Sequence, residues 1–474
     1  MPVSPTYRPD PRFPALGADY ADAVEPARFP MARLRYRNQR WAGRVGLDAL
    51  TEAEWEAAFA RFGPLPGNMP APLALRYHGH QFGVYNPEIG DGRGFLYAQL
   101  RDDAGRLLDF GTKGSGQTPY SRFGDGRLTL KGGVREVLAA EMLEALGVYT
   151  SKPFALFETG EALERGDEPS PTRSSVLTRL GHSHIRFGTF QRLAFIDRPD
   201  LSAKLVAHCL ETYYPTLGDV GPAGFFRAVV QESARLAASW MAAGFVHGVM
   251  NTDNMIITGE SMDYGPWRFL PHSDPDFVAA YFDEGGRYRF GQQPNVMSWN
   301  LTQLASALLP ISTQDELVAA LQTFPDEYQK ALHALMFQRL GLTPGDVEPD
   351  LEFLQEAFTW LTQTGVGWDQ FFHDWFCGAA SADRAKQSPQ AARYEEPIFA
   401  PIRAGIEQRT PARPERLAHP HFARRQAVTL VIGEVEALWA PIAENDDWHT
   451  FEIKMADIAA LREALDFPAP RMHI

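Results

Sequence analysis

The sequence predicts an α+β protein of two lobes, a strand-rich first lobe followed by a helical second one across a cleft, with extensions at both ends. Three observations carry that expectation. Between about residues 74 and 180, short apolar runs alternate with glycine-bearing turns, the pattern of strands and hairpins. Beyond about residue 200, apolar residues recur at three- and four-residue spacing, the pattern of amphipathic helices. The polar motifs cluster near the junction, where packed layers leave a cleft.

Residues 1–73 read as an irregular, Pro- and Arg-rich arm with one short helix over 51–62. The first lobe, 74–199, begins with strands at 75–77, 94–100 and 107–112. A helix over 134–146 follows, ended by Gly147, and further strands lie at 154–158 and 176–180. The second lobe, 200–474 with its C-terminal extension, holds helices over 201–210, 225–243 and 300–309. A loop-and-short-strand segment at 246–264 interrupts them. The Pro/Arg/Ala-rich stretch 378–421 reads as a long surface excursion, and helices return at 424–439 and 448–465. No internal repeat is visible.

Composition narrows the functional classes. A chain of 474 residues with 45% hydrophobic and 22% charged content can bury large cores without disulfides or a structural metal. Its two cysteines, Cys209 and Cys377, have no metal-ligand spacing and suit a reducing compartment. A net charge of -14 argues against a broad nucleic-acid surface, because no basic field offsets the phosphates. Neither a signal peptide nor a run of about 18 apolar residues is present. A soluble, cytoplasmic protein is the expectation, with no membrane partner and a monomer as the favoured state.

The strongest chemical signal is His247-Gly248-Val249-Met250-Asn251-Thr252-Asp253-Asn254, followed by Asp263-Tyr264-Gly265. Its order matches the catalytic loop of protein-kinase-like phosphotransferases: a His-led triplet, an Asn metal ligand and then an Asp-aromatic-Gly turn. Asn254 and Asp263 offer hard oxygens suited to Mg²⁺ held jointly with phosphates. One position departs from the pattern. The slot of the catalytic base holds Val249, which accepts no proton, and Asp253 is the nearest carboxylate able to replace it.

Upstream, the apolar strand Asp109-Phe110-Gly111-Thr112-Lys113 ends in a lysine, ahead of a helix carrying Glu136 and Glu141. A lysine held by a carboxylate is suited to bridging phosphates. On a helical wheel Val134, Leu138 and Ala145 define one face, and Glu141 falls on it while Glu136 does not, so the partner stays open at this point. Gly90-Asp91-Gly92-Arg93-Gly94 and Gly124-Asp125-Gly126-Arg127 flank the lysine strand. Each is an ordinary turn alone; as a pair around the lysine they suit backbone approach to phosphates. Arg179 and Arg186 are more cationic charge than an ordinary kinase needs here. His182 with His184, and His78 with His80, lack a third metal ligand and read as local hydrogen-bonding residues.

Taken together with Tyr77-His78-Gly79-His80-Gln81-Phe82-Gly83, Gly111 through Gly116 and Thr118-Pro119-Tyr120-Ser121-Arg122, these stretches resemble the selenoprotein-O family of pseudokinases, over about residues 75–310. The resemblance implies a protein-kinase-like two-lobed fold and adenylyl transfer. AMP from ATP is attached to a Ser, Thr or Tyr hydroxyl of a protein substrate, and pyrophosphate leaves. It further implies a nucleotide inverted relative to active kinases, its γ-phosphate pointing inward onto Arg179, Arg186, Lys113 and Arg93. Lys113 is then paired with Glu136, and Gly90, Gly92, Asp125 and Gly126 line the nucleotide. Asp253 is the base, and Asn254 and Asp263 hold Mg²⁺ or Mn²⁺.

Many members carry a cysteine or selenocysteine near the C-terminus, whereas this chain closes Pro468-Ala469-Pro470-Arg471-Met472-His473-Ile474. Redox control through a terminal thiol is therefore not carried over. The alternatives to adenylyl transfer are a conventional kinase with a displaced base and a non-catalytic, nucleotide-binding pseudokinase.

Overall fold

The computed structural model describes residues 4–166 and 168–468; the cysteine-free closing residues 469–474 lie outside them. The first 73 residues, expected to be an irregular arm with one short helix over 51–62, hold that helix as α2 (Glu52–Phe59) and add strands β1 (Ala21–Ala23) and β2 (Arg33–Arg37) and helix α1 (Gln39–Arg44). A Thr51–Glu54 capping box starts α2. The helix is held on the sheet by Trp55, stacked 5.0 Å from Phe154, and by Phe59, 5.7 Å from Phe110. Burial of each such ring contributes about 1.5–3 kcal/mol. The Pro/Arg-rich composition concealed these anchors.

The main sheet continues with β3 (Leu73–Leu75); β4 (Gly79–Gln81) and β5 (Val84–Asn86) form a separate hairpin. Then come β6 (Leu96–Arg101), β7 (Leu107–Lys113), β8 (Leu128–Thr129), helix α3 (Leu130–Ala145), β9 (Lys152–Leu163) and β10 (Thr172–Gly181). The strand order is β1-β3-β6-β7-β10-β9-β2, with β8 also on β10, and the pairings are antiparallel. Both faces are buried, with strand side chains alternating at a two-residue period except at register shifts such as the β9–β10 one beside Phe154. Phe110, Phe154, Val176 and Leu180 face the α2 side, while Leu96, Leu156 and Leu177 face α3.

The Thr129 hydroxyl caps α3 by accepting from the Gly132 amide at 3.1 Å. The helix is enclosed on a second side by the helix His449–Leu465: Arg462 Nη1 donates to Glu141 Oε2 at 2.6 Å. Just ahead of that helix, Asp446 accepts from Arg35 and Arg173 at 2.7 Å each, pinning it to the sheet.

The second half is helical, as expected. Helices α4 (Phe187–Phe195), α5 (Pro199–Tyr213) and α6 (Gly221–Ala243) lead into β11 (Phe245–Val246), which pairs with β12 (Arg268–Phe269). Gly244, at φ 64°, ends α6 in the left-handed conformation favoured by glycine. Further helices include Gln293–Leu308, Phe324–Leu340 and Val347–Thr364. The stretch 378–421 is not a surface excursion. Its short helices bury Tyr394, Phe399, Ile402 and Ile406 against Phe353 and Trp360. The helix expected over 424–439 begins only at Ile432. Among the described residues no helix is long and apolar enough to cross a membrane.

Candidate active site

A cavity of about 800 Å³ opens between the sheet and the helices. The end of β7 and the loops at 89–94 and 120–127 line one side, and residues 249–254 and 263–266 line the other. Gly90, Gly92, Arg93, Lys113, Asp125, Gly126, Arg179, Arg186, Asp253, Asn254 and Asp263 all reach its wall. Glu136 stands behind it.

The inner end is a dense cluster of buried charges. Lys113 closes β7, and its ammonium pairs with Glu136 Oε2 from α3. Arg179, opposite Gly111 in the β10–β7 register, donates to Glu136 Oε1 at 2.9 Å and to Asp263 Oδ1 at 2.6 Å. Arg186, at the start of α4, donates to Asp263 Oδ2 and to the Asp253 carbonyl oxygen, each at 2.6 Å. It stacks 4.7 Å from the Tyr77 ring and lies 3.6 Å from Asp91 Oδ1. Three cations, Lys113, Arg179 and Arg186, thus meet three carboxylates, Glu136, Asp263 and Asp91.

Burial and pairing pull these groups in opposite directions. Burial alone would raise the Asp263 carboxyl, but Arg179, Arg186 and Lys113 together hold it well below the usual carboxylate range. Burial lowers the Lys113 ammonium, with Glu136 and Asp263 opposing it. Burial raises Asp91 despite Arg186. Asp263 also takes the left-handed φ of 61°, at a cost of about 1 kcal/mol that its charge pairs offset.

A wheel of α3 places Glu141 on the apolar face and Glu136 off it, which leaves the Lys113 partner open. The structure buries both acids, at 3% exposure each, because α3 has the sheet on one side and a helix on another. A single-faced wheel does not describe a helix covered on several sides. Glu141 instead accepts from Tyr36, Asn38 and Arg462 at 2.8, 3.0 and 2.6 Å.

The 247–254 loop is fixed from several directions. His247 Nε2 lies 2.9 Å from the Met262 carbonyl oxygen, and Gln293 accepts from the His247 amide at 3.0 Å. The Asn254 side-chain nitrogen donates to the Val249 carbonyl at 2.9 Å. Asp253 faces Gln81 Nε2 at 3.4 Å through Oδ2, while its Oδ1 is sealed from solvent with no hydrogen-bond partner. Burial pushes its carboxyl up to about 6, against the pull of Arg186.

The rim is more open. A side chain at Gly90 would lie 2.5 Å from the Tyr120 ring, and one at Gly92 would lie 2.9 Å from its carbonyl oxygen. Glycine there is demanded by close approach of the 118–122 loop. Arg93 is exposed, and among the described residues it has no ion-pair partner. Asp125 accepts from Arg165 at 2.9 and 3.1 Å.

The family model for protein adenylyltransferase SelO matches residues 5–459. The chain belongs to that family. Protein nucleotidyltransferase YdiU of Synechocystis sp. is 45% identical over 460 residues, covering 93% of this chain and 96% of the relative. Its namesake in Gloeobacter violaceus is 47% identical over 455 residues, 93% of each chain. That of Vibrio cholerae is 38% identical over 368 residues, 77% of this chain and 74% of the relative.

Within this SelO family chain, sequence reasoning passed over Asp91, Tyr77, Gln81 and Tyr120, all of which line the cavity. Asp91 sat inside a glycine cluster read only for its backbone. The other three lie in quoted motifs, but nothing local revealed what they face. His184 Nδ1 is 3.3 Å from Asp109 and His78 Nδ1 is 2.8 Å from the Tyr85 hydroxyl. Among the described residues no group of three His, Cys, Asp or Glu side chains is placed to hold a metal. Cys209 and Cys377 are buried and free.

Proposed function

We propose that the chain is a protein adenylyltransferase on a kinase-like, two-lobed frame, moving AMP from ATP to a Ser, Thr or Tyr hydroxyl of a protein substrate. In this reading residues 74–199 form the strand-rich lobe, the chain from 200 onward the helical lobe, and residues 1–73 an arm bound to the first. Family membership supports the reaction class. The observation that carries the reading is the buried pair Arg179 and Arg186, both on Asp263 at the inner end of the cavity, beside a loop whose base slot is Val249.

A triphosphate whose outer end is received by buried guanidinium groups has its α-phosphorus toward the cavity mouth. Asp253 takes the acceptor proton and the hydroxyl oxygen attacks that phosphorus. The bond from the α-phosphorus to the bridging β-phosphate oxygen breaks, and pyrophosphate departs. A positioned base contributes about 10²–10⁴ in rate, and removing one fixed electrostatic donor costs about 10²–10³.

Mg²⁺ fits the oxygen donors present. Asp263 is held ionised, each of its oxygens keeps a lone pair beside its guanidinium, and the Asn254 amide oxygen is left free by the nitrogen's bond to Val249. Asn254 and Asp263 would hold the ion with phosphate oxygens, a sharing typical of Mg²⁺. When bound, it would neutralise phosphate charge.

ATP labelled on the α- or γ-phosphate, incubated with the chain and a protein acceptor, distinguishes the reactions. Label from the α-position alone, with AMP found by mass on the acceptor, is expected. Transfer of the γ-label would establish a conventional kinase instead.

A further inference from the structure

The hairpin of β4 and β5, within the stretch Tyr77 through Asn86, lies beside the loop that carries Asp253. It pairs Gly79 with Asn86, His80 with Tyr85 and Gln81 with Val84, apart from the main sheet. The hairpin runs along the loop that carries the base and contacts three consecutive residues of it. The Phe82 amide donates to Asn251 Oδ1 at 3.0 Å, and the His80 amide to Thr252 Oγ1 at 2.7 Å. Gln81 Nε2 faces Asp253 Oδ2 at 3.4 Å.

Two side chains set this frame. Gln191 of α4 accepts from the Thr252 hydroxyl at 2.6 Å and places its amide nitrogen 2.8 Å from His80 Nδ1. Asn86 Nδ2 donates to Gln81 Oε1 at 3.0 Å, which fixes the Gln81 amide with its nitrogen toward Asp253. On the other flank, a Cβ at Gly79 would lie 2.8 Å from Asp253 Oδ1. Glycine there lets the carboxyl group settle against the hairpin backbone. With Oδ1 sealed, Oδ2 is the oxygen left to meet an acceptor hydroxyl, and it keeps a lone pair beside the Gln81 bond.

We infer that Gln81, oriented by Asn86, is a positioning residue that fixes the rotation of the Asp253 carboxyl group for proton transfer. The inference rests on Asp253 being the base. Hydrogen bonds that serve catalysis are commonly long before substrate binds and tighten in the complex, as 3.4 Å allows. A misplacement of the reacting groups by about 1 Å costs on the order of 10² in rate.

The test reads steady-state AMP transfer from α-labelled ATP to dephosphorylated casein and to the chain itself. Gln81→Ala is expected to lower kcat by about 10- to 100-fold with KM for ATP within about twofold and an unchanged melting temperature. Asn86→Ala should give a smaller loss of the same kind. In an Asp253→Ala background, Gln81→Ala should change nothing further. An equal loss in both backgrounds, or a raised KM with kcat intact, would overturn the proposal.

A crystal structure of Gln81→Ala adds a readout independent of turnover, with the Asp253 carboxyl expected to be rotated from its present plane. An unrotated carboxyl would likewise overturn it. Should a folded wild type transfer no AMP while that rotation is observed, the adenylyltransferase reading fails and the positioning contact stands.

Discussion

Replacing Glu136 by glutamine probes the charge balance at the inner end of the cavity. The substitution keeps the shape but removes one of the three carboxylates facing Lys113, Arg179 and Arg186, leaving an excess positive charge on three cations that are each at most 7% exposed. At an effective dielectric of about 20, a unit pair at the 2.9 Å separating Arg179 from Glu136 is worth about 6 kcal/mol. Truncated buried pairs cost about 3–5 kcal/mol. Glutamine still accepts one hydrogen bond, so a loss near 3 kcal/mol in urea unfolding is expected. AMP transfer per folded molecule should fall by about 10²-fold or more, as Lys113 loses its orienting partner. Saturating ATP brings negative charge and should stabilise the variant more than the wild type. Glu141→Gln is the control. It loses bonds from Tyr36, Asn38 and Arg462 and so loses stability, but its transfer rate per folded molecule should stay within about twofold of wild type. Loss of turnover in Glu141→Gln with normal turnover in Glu136→Gln would refute the assignment of the Lys113 partner.

Arg186→Lys keeps the charge but not the fork that reaches both Asp263 and the Asp253 carbonyl; transfer is expected to fall by about 10²–10³, measured with α-labelled ATP. Glu232, 3% exposed on α6, has Oε1 without a hydrogen-bond partner, and burial lifts its carboxyl to about 7 from 4.5. The unfolded chain releases this proton near pH 4.5 and the folded chain only near 7, so this group lowers stability as pH rises across that window and then levels off. Glu232→Gln should therefore stabilise the protein by up to about 3 kcal/mol at pH 8 and by little near pH 4.5, read from urea midpoints at both. An equal gain at both pH values would contradict the account.

Much of the architecture could be read from periodicity. The expected helix at 225–243 spans Gly221–Ala243, and the expected strand at 107–112 is Leu107–Lys113, because local apolar spacing sets these elements. Strands at 154–158 and 176–180 lengthen to Lys152–Leu163 and Thr172–Gly181 because cross-strand pairing extends them past their apolar cores. The stretch 378–421 reads as surface because its four core side chains, Tyr394, Phe399, Ile402 and Ile406, are scattered in a Pro/Arg/Ala background. The contiguous motif His247–Asn254 made the site visible. The partners that arrive from other elements, Asp91 and Gln81 among them, were not legible, since only the folded loops bring them to the cavity.

The enclosure of α3 has a consequence for switching. Many two-state enzymes part an ion pair by letting a helix pivot outward, and such a pivot is cheap when one flank is bare. Here the same motion would also detach Glu141 from Arg462 and Glu144 from Arg40, pulling against the C-terminal helix and the arm together. A movement that breaks three anchorages costs more than one that parts the lysine–glutamate contact alone, so the enclosure of α3 favours the paired state.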